Sequence, residues 1–100
     1  MLILQQFIDE MGQVRERAAA EGVYFNRLNQ MIDNNGAFIT ARSLVNAEGL
    51  STGFQKLQAI NRLDLSIEHL ILRDPYNQLF DEETKANARR KLRDNGNFDF

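Results

Sequence analysis

One hundred residues leave room for one domain, with enough chain to bury roughly two-thirds of its unfolded surface. Forty-three per cent apolar and 26 per cent charged residues belong to a globular protein, and the lack of cysteine removes disulfides, thiolate metal sites and cysteine nucleophiles together. A formal net charge of −2 and a pI of about 5.3 argue against general phosphate neutralisation as a binding mode, while leaving basic protein surfaces open as partners.

The chain opens on Met1-Leu2-Ile3-Leu4-Gln5-Gln6, which carries neither the basic stretch nor the long apolar run of a signal peptide. No segment approaches the roughly 18 apolar residues of a membrane span, so the expected location is the cytoplasm. From Leu4 the apolar residues Leu4, Phe7, Ile8, Met11, Val14 and Ala18 recur every three or four positions. That spacing predicts a helix to about Ala20 with these residues on its buried stripe and Asp9, Glu10, Gln13 and Arg17 towards solvent. Glu21-Gly22 ends it.

A second helix is expected to bury Tyr24, Phe25, Leu28, Met31 and Ile32 and to stop at Asp33-Asn34-Asn35-Gly36. A third runs from Thr40, as N-cap, to about Ala47, with Gly49 as the stop. Ser51 caps a fourth through Phe54, Leu57 and Ile60. Leu63-Asp64-Leu65-Ser66-Ile67 alternates like a strand, but a lone strand has nothing to pair with, and Asp64 or Ser66 is instead placed at the cap of a fifth helix ending before Pro75. The last helix is announced by Asp81-Glu82-Glu83 and closed by Asn95-Gly96. Its early carboxylates and its late Arg89, Arg90, Lys91 and Arg93 complement the helix dipole. Phe98-Asp99-Phe100 follows as a tail. The expected fold is all-α, a compact single domain spanning residues 1–100 and built from five to six short helices.

Four constellations could carry chemistry. Residues 41–62 have the order of a helix-turn-helix, with Gln55, Lys56, Gln58, Asn61 and Arg62 of residue types that contact bases or phosphates. Read as function, residues 52–62 would make a small DNA-binding regulator; read as structure, they are a helical hairpin with a wet outer face. The run Lys85, Arg89, Arg90, Lys91 and Arg93 shares its segment with Asp81, Glu82, Glu83, Asp94 and Asp99, and pairing with the helix dipole accounts for it. Ser66 and the lone His69 are spaced for a nucleophile and base, but Ser66 also suits a helix cap, and no catalytic residue is assigned. One histidine and the wrong offsets after Asp33 and Asp94 for a calcium loop leave no metal or other cofactor expected. Last, Asp9 and Glu10 on the first helix and Asp33, Asn34 and Asn35 after the second could stand in for DNA phosphates before a basic groove; a merely solvated acidic face is the plainer alternative.

The segments Gly53-Phe54-Gln55-Lys56-Leu57, Arg62-Leu63-Asp64-Leu65-Ser66-Ile67-Glu68, Leu79-Phe80-Asp81-Glu82-Glu83 and Ala88-Arg89-Arg90-Lys91-Leu92 resemble a family of phage-encoded type I-F anti-CRISPR proteins, all-helical and of this length. The likeness covers the C-terminal half well and the N-terminal half by overall character. It implies a non-enzymatic inhibitor in the bacterial host cytoplasm that binds the protein subunits of a crRNA-guided surveillance complex and keeps it from target DNA. No nucleic acid, membrane or small-molecule substrate enters that expectation. Such a complex reads DNA with basic residues, which carboxylates and amides can occupy instead. The assignment of Asp9, Glu10, Asp33, Asn34 and Asn35 to that surface comes from charge and expected exposure, not from a family motif.

Overall fold

The computed structural model describes residues 2–96, 98 and 99. Among them are six α-helices and no strand: α1 (Leu2–Ala20), α2 (Asn26–Asn35), α3 (Ala37–Asn46), α4 (Thr52–Ala59), α5 (Ile67–Leu72) and α6 (Glu82–Gly96), with 3-10 turns at Leu63–Leu65 and Tyr76–Leu79. The short α5 sits at the centre, packed on α6 and α3, while α1 crosses α3 and both 3-10 turns.

In α1, Phe7, Met11, Val14 and Ala18 are buried as their spacing requires, whereas Ile8, placed on the same stripe by sequence, is 40% exposed. Two apolar residues in succession lie about 100° apart on a helix, and here the neighbouring elements cover only the Phe7 side. Phe7 meets the rings of Tyr76 and Phe80 at 5.9 and 5.4 Å, and Phe80 stacks on Phe38. A fully buried ring of this kind is worth about 1.5–3 kcal/mol over an exposed one.

The buried set expected of the second helix divides. Val23, Tyr24 and Phe25 precede α2 outside any helix and alternate buried, exposed, buried, which leaves Tyr24 60% exposed. Leu28 is buried and Met31 and Ile32 are half-buried.

Thr40 is not an N-cap. α3 begins three residues earlier, because Gly36 takes φ +85° and ψ 161°, which only glycine adopts without strain, and serves as both the end of α2 and the N-cap of α3. Ala37, Thr40, Ala41 and Val45 thereby share the inward face. Ser51 caps α4 by accepting from the Phe54 N–H at 3.1 Å, and Ile60 falls just beyond that helix, partly exposed. Gly53 is required where it stands, since a Cβ there would collide with the Phe25 ring.

The strand-like run folds as a 3-10 turn, and Ser66 rather than Asp64 caps α5. Its hydroxyl donates to Leu63 O at 2.7 Å and accepts from the His69 N–H at 3.1 Å. Asp64 instead pairs with Arg62, whose hydrogen bond is the main cause holding that carboxyl below its usual range. Asp81 caps α6 through the Thr84 N–H, and the Thr84 side chain first and this backbone bond second lower its pKa. Phe98 packs against the core and the His69 ring, while Asn97 and Phe100 lie outside the described residues.

Candidate functional site

The five residues proposed to mimic phosphates occupy three settings. Asp9 is exposed, and among the described residues its side chain accepts one hydrogen bond, from Gln5 in the turn before it. Glu10 does not face solvent: its side chain is 14% exposed and accepts from Arg73 at 3.0 Å, with Arg17 at 3.5 Å. Arg73 also lies over the Tyr76 ring, so Glu10 ties α1 to the segment after α5. Its position beside Phe7 and Met11 on the buried stripe decides this. Asp33, Asn34 and Asn35 form an exposed knuckle at the end of α2, held in place by Gly36. No ion pair engages Asp9 or Asp33 among the described residues, and no hydrogen bond or ion pair joins α1's acids to the knuckle.

The helix-turn-helix candidate has its two helices but not the packing. α4 rests on the Leu63–Leu65 turn rather than broadly on α3. Gln55 donates to Leu50 O, Gln58 to Asn95 O, and Arg62 to both Glu21 and Asp64. Lys56 alone of the proposed base and phosphate readers on α4 is exposed and uncommitted among the described residues. The basic run is likewise broken up: Lys85 and Arg89 lean on Glu82, and Arg93 approaches Asp94.

Lys91, counted with that run, is 5% exposed and points inward. Its ammonium donates to Ala47 O at 2.9 Å and Leu44 O at 3.4 Å, closing the carbonyl end of α3. Burial lowers its pKa, with Arg90 adding to the effect and Glu68 opposing it. No family model, curated protein or solved structure matches this chain. What the geometry offers therefore has to be read from its own side chains.

Between α2, the end of α3 and α4 lies a cleft of about 520 Å³. Phe25, Leu28, Met31, Leu44, Phe54 and Leu57 supply its apolar walls, and Arg27, Glu48 and Lys56 stand at its margin. Ser66 and Glu68 contribute to the floor. Glu68 is 1% exposed, and its Oε2 has no hydrogen-bond partner among the described residues. Burial pushes its carboxyl up to about 7, against the opposing pull of its own backbone N–H and of Lys91. These two groups form no ion pair within 4 Å; Lys91 is spent on α3.

His69, one residue on, is half-buried against Phe98, and its pKa is lowered by burial first and by Arg73 second, with Asp64 pulling the other way. Ser66 is fully engaged as a cap and offers it no nucleophile geometry.

Sequence reasoning did not single out Glu68 as a site residue. A signal was present. Leu63, Leu65, Ile67, Leu70, Ile71 and Leu72 make the segment dense in apolar residues on both sides of Glu68, as expected of a largely buried helix.

Proposed function

We propose that this chain is an anti-CRISPR inhibitor, binding a type I-F crRNA-guided surveillance complex and denying it target DNA. The resemblance of the C-terminal half supplies the partner. The observation that supports a charge-based contact is the exposed Asp33-Asn34-Asn35 knuckle, whose carboxylate has no ion partner among the described residues. Held by a glycine-specific turn, it presents one negative charge and two amides with little freedom left to lose on binding. Asp9 adds a second uncompensated carboxylate. Basic residues that would otherwise meet phosphates can pair with these groups, so protein and DNA compete for the same charges.

Glu10 is withdrawn from that surface, because pairing with Arg73 and Arg17 spends its charge inside the molecule. DNA reading by residues 52–62 is the weaker alternative, since Gln55, Gln58 and Arg62 are already bound within the chain.

The test is a gel shift of target duplex by the purified surveillance complex with and without this protein. Loss of the shifted band, with no shift by the protein alone, is the expected result. Asp33→Lys combined with Asp9→Lys should restore the band. Full inhibition by that double variant would remove the charge mechanism while leaving the partner, and a direct shift of duplex by the protein alone would favour the DNA-binding alternative.

A further inference from the structure

We propose that the cleft between α2, the end of α3 and α4 binds an amphipathic organic cation, with its apolar body on Phe54 and Leu57 and its ammonium on Glu68. Three observations carry this independently of any inhibitor role. The volume of about 520 Å³ falls within the roughly 300–1,000 Å³ of small-molecule sites. Its walls are mainly apolar, and glycine at 53 lets Phe25 close over α4 to form one of them.

The floor carries a single acidic group that the fold does not satisfy. A buried carboxylate oxygen without a partner is costly, and a donor entering from the cleft removes that cost. The other polar group on the floor, Ser66, is committed to Leu63 O and the His69 N–H. Lys91, the cation facing Glu68 from α6, is committed to Leu44 O and Ala47 O and leaves Oε2 open. At the margin Glu48 stands with Arg27 and Lys56, a net positive set that does not attract a cation, so charge selection falls to Glu68.

A cation bound there favours the ionised carboxylate, so affinity should rise between about pH 6 and about pH 8 as Glu68 loses its proton. Burial and then Arg73 lower the pKa of His69, on the same helix, which favours its neutral form against the opposing pull of Asp64.

The probe is phenethylamine, titrated into the full chain and followed by amide NMR, with phenethyl alcohol as the uncharged match. The amine should perturb residues around Leu28, Phe54 and Glu68 and bind roughly ten-fold or more tightly than the alcohol, the worth of a charged hydrogen bond. Glu68→Gln should bring the amine down to the alcohol's affinity. Met31→Trp, which fills the cleft from a half-buried position without opening the core, should abolish binding of both while leaving thermal unfolding unchanged. Equal affinity for amine and alcohol, amine binding indifferent to Glu68→Gln, or no perturbation of the cleft at about 1 mM probe would overturn the proposal.

Discussion

Glu68 is the residue at which the fold departs furthest from what local pattern suggests, and its titration should be visible in stability. Its folded-state pKa of about 7 lies above the unfolded value of 4.5, so the native state holds its proton more tightly. Stability from this group is complete below about pH 4.5 and is lost as pH rises through about 7, on the order of 3 kcal/mol in all. Glu68→Gln cannot ionise and escapes that loss. Denaturation midpoints of the two proteins should therefore coincide near about pH 4, diverge through the window, and favour the variant at about pH 8. Parallel profiles would mean that Glu68 is ionised and satisfied in the native protein. Residue types at exposed positions were legible in sequence, as Asp9 and Asp33 illustrate. Burial of a polar side chain was not, because it depends on what packs over it: Glu10 and Glu68 look like ordinary surface acids until Arg73 and the α3–α4 side of the fold are placed against them.

At the scale of helices, capping chemistry carried most of the legible information. Ser51, Ser66 and Asp81 each accept from the N–H three residues on, a purely local bond that needs no tertiary partner. Thr40 failed as a cap because Gly36 already ends one helix and starts the next, and a threonine four residues later then falls on the buried face. Gly36→Ala should force a side chain into a backbone region that resists it and cost about 1–3 kcal/mol, read as a lower denaturant midpoint at unchanged slope. Lys91 is the long-range counterpart of a cap. Lys91→Met keeps the buried stem but strips two carbonyls of their donor, and it should cost about 1–3 kcal/mol. Arg90→Ala, one residue away and exposed, should stay within about 0.5 kcal/mol. Similar costs at both positions would mean that Lys91 acts only as packing. Nothing in the sequence separates these neighbours, because both sit in one basic run; only the approach of α3 to α6 does.

Taken as a whole, the molecule keeps most of its arginines close to home and leaves several acids unanswered. Arg17, Arg62, Arg73, Arg89 and Arg93 lie against carboxylates of this chain, while Asp9, Asp33 and Glu48 have no ion partner among the described residues. The all-α architecture was legible because apolar spacing and glycine stops repeat along the chain. The distribution of uncompensated charge was not, since pairs such as Arg62 with Glu21 and Arg73 with Glu10 span 41 and 63 residues. That distribution predicts how the proposed inhibitor should meet its partner. Exposed charges that are not desolvated steer encounter more than they hold a complex together, and salt screens them over about 8–10 Å at ordinary ionic strength. The association rate with the surveillance complex should accordingly fall as salt is raised while dissociation changes little. Asp9→Lys with Asp33→Lys should slow association further and flatten its salt dependence. Surface-plasmon kinetics across a salt series would separate the two rates. A variant that instead accelerates dissociation at every salt concentration would place these carboxylates in a desolvated contact, pairing directly with a cation of the complex rather than steering towards it.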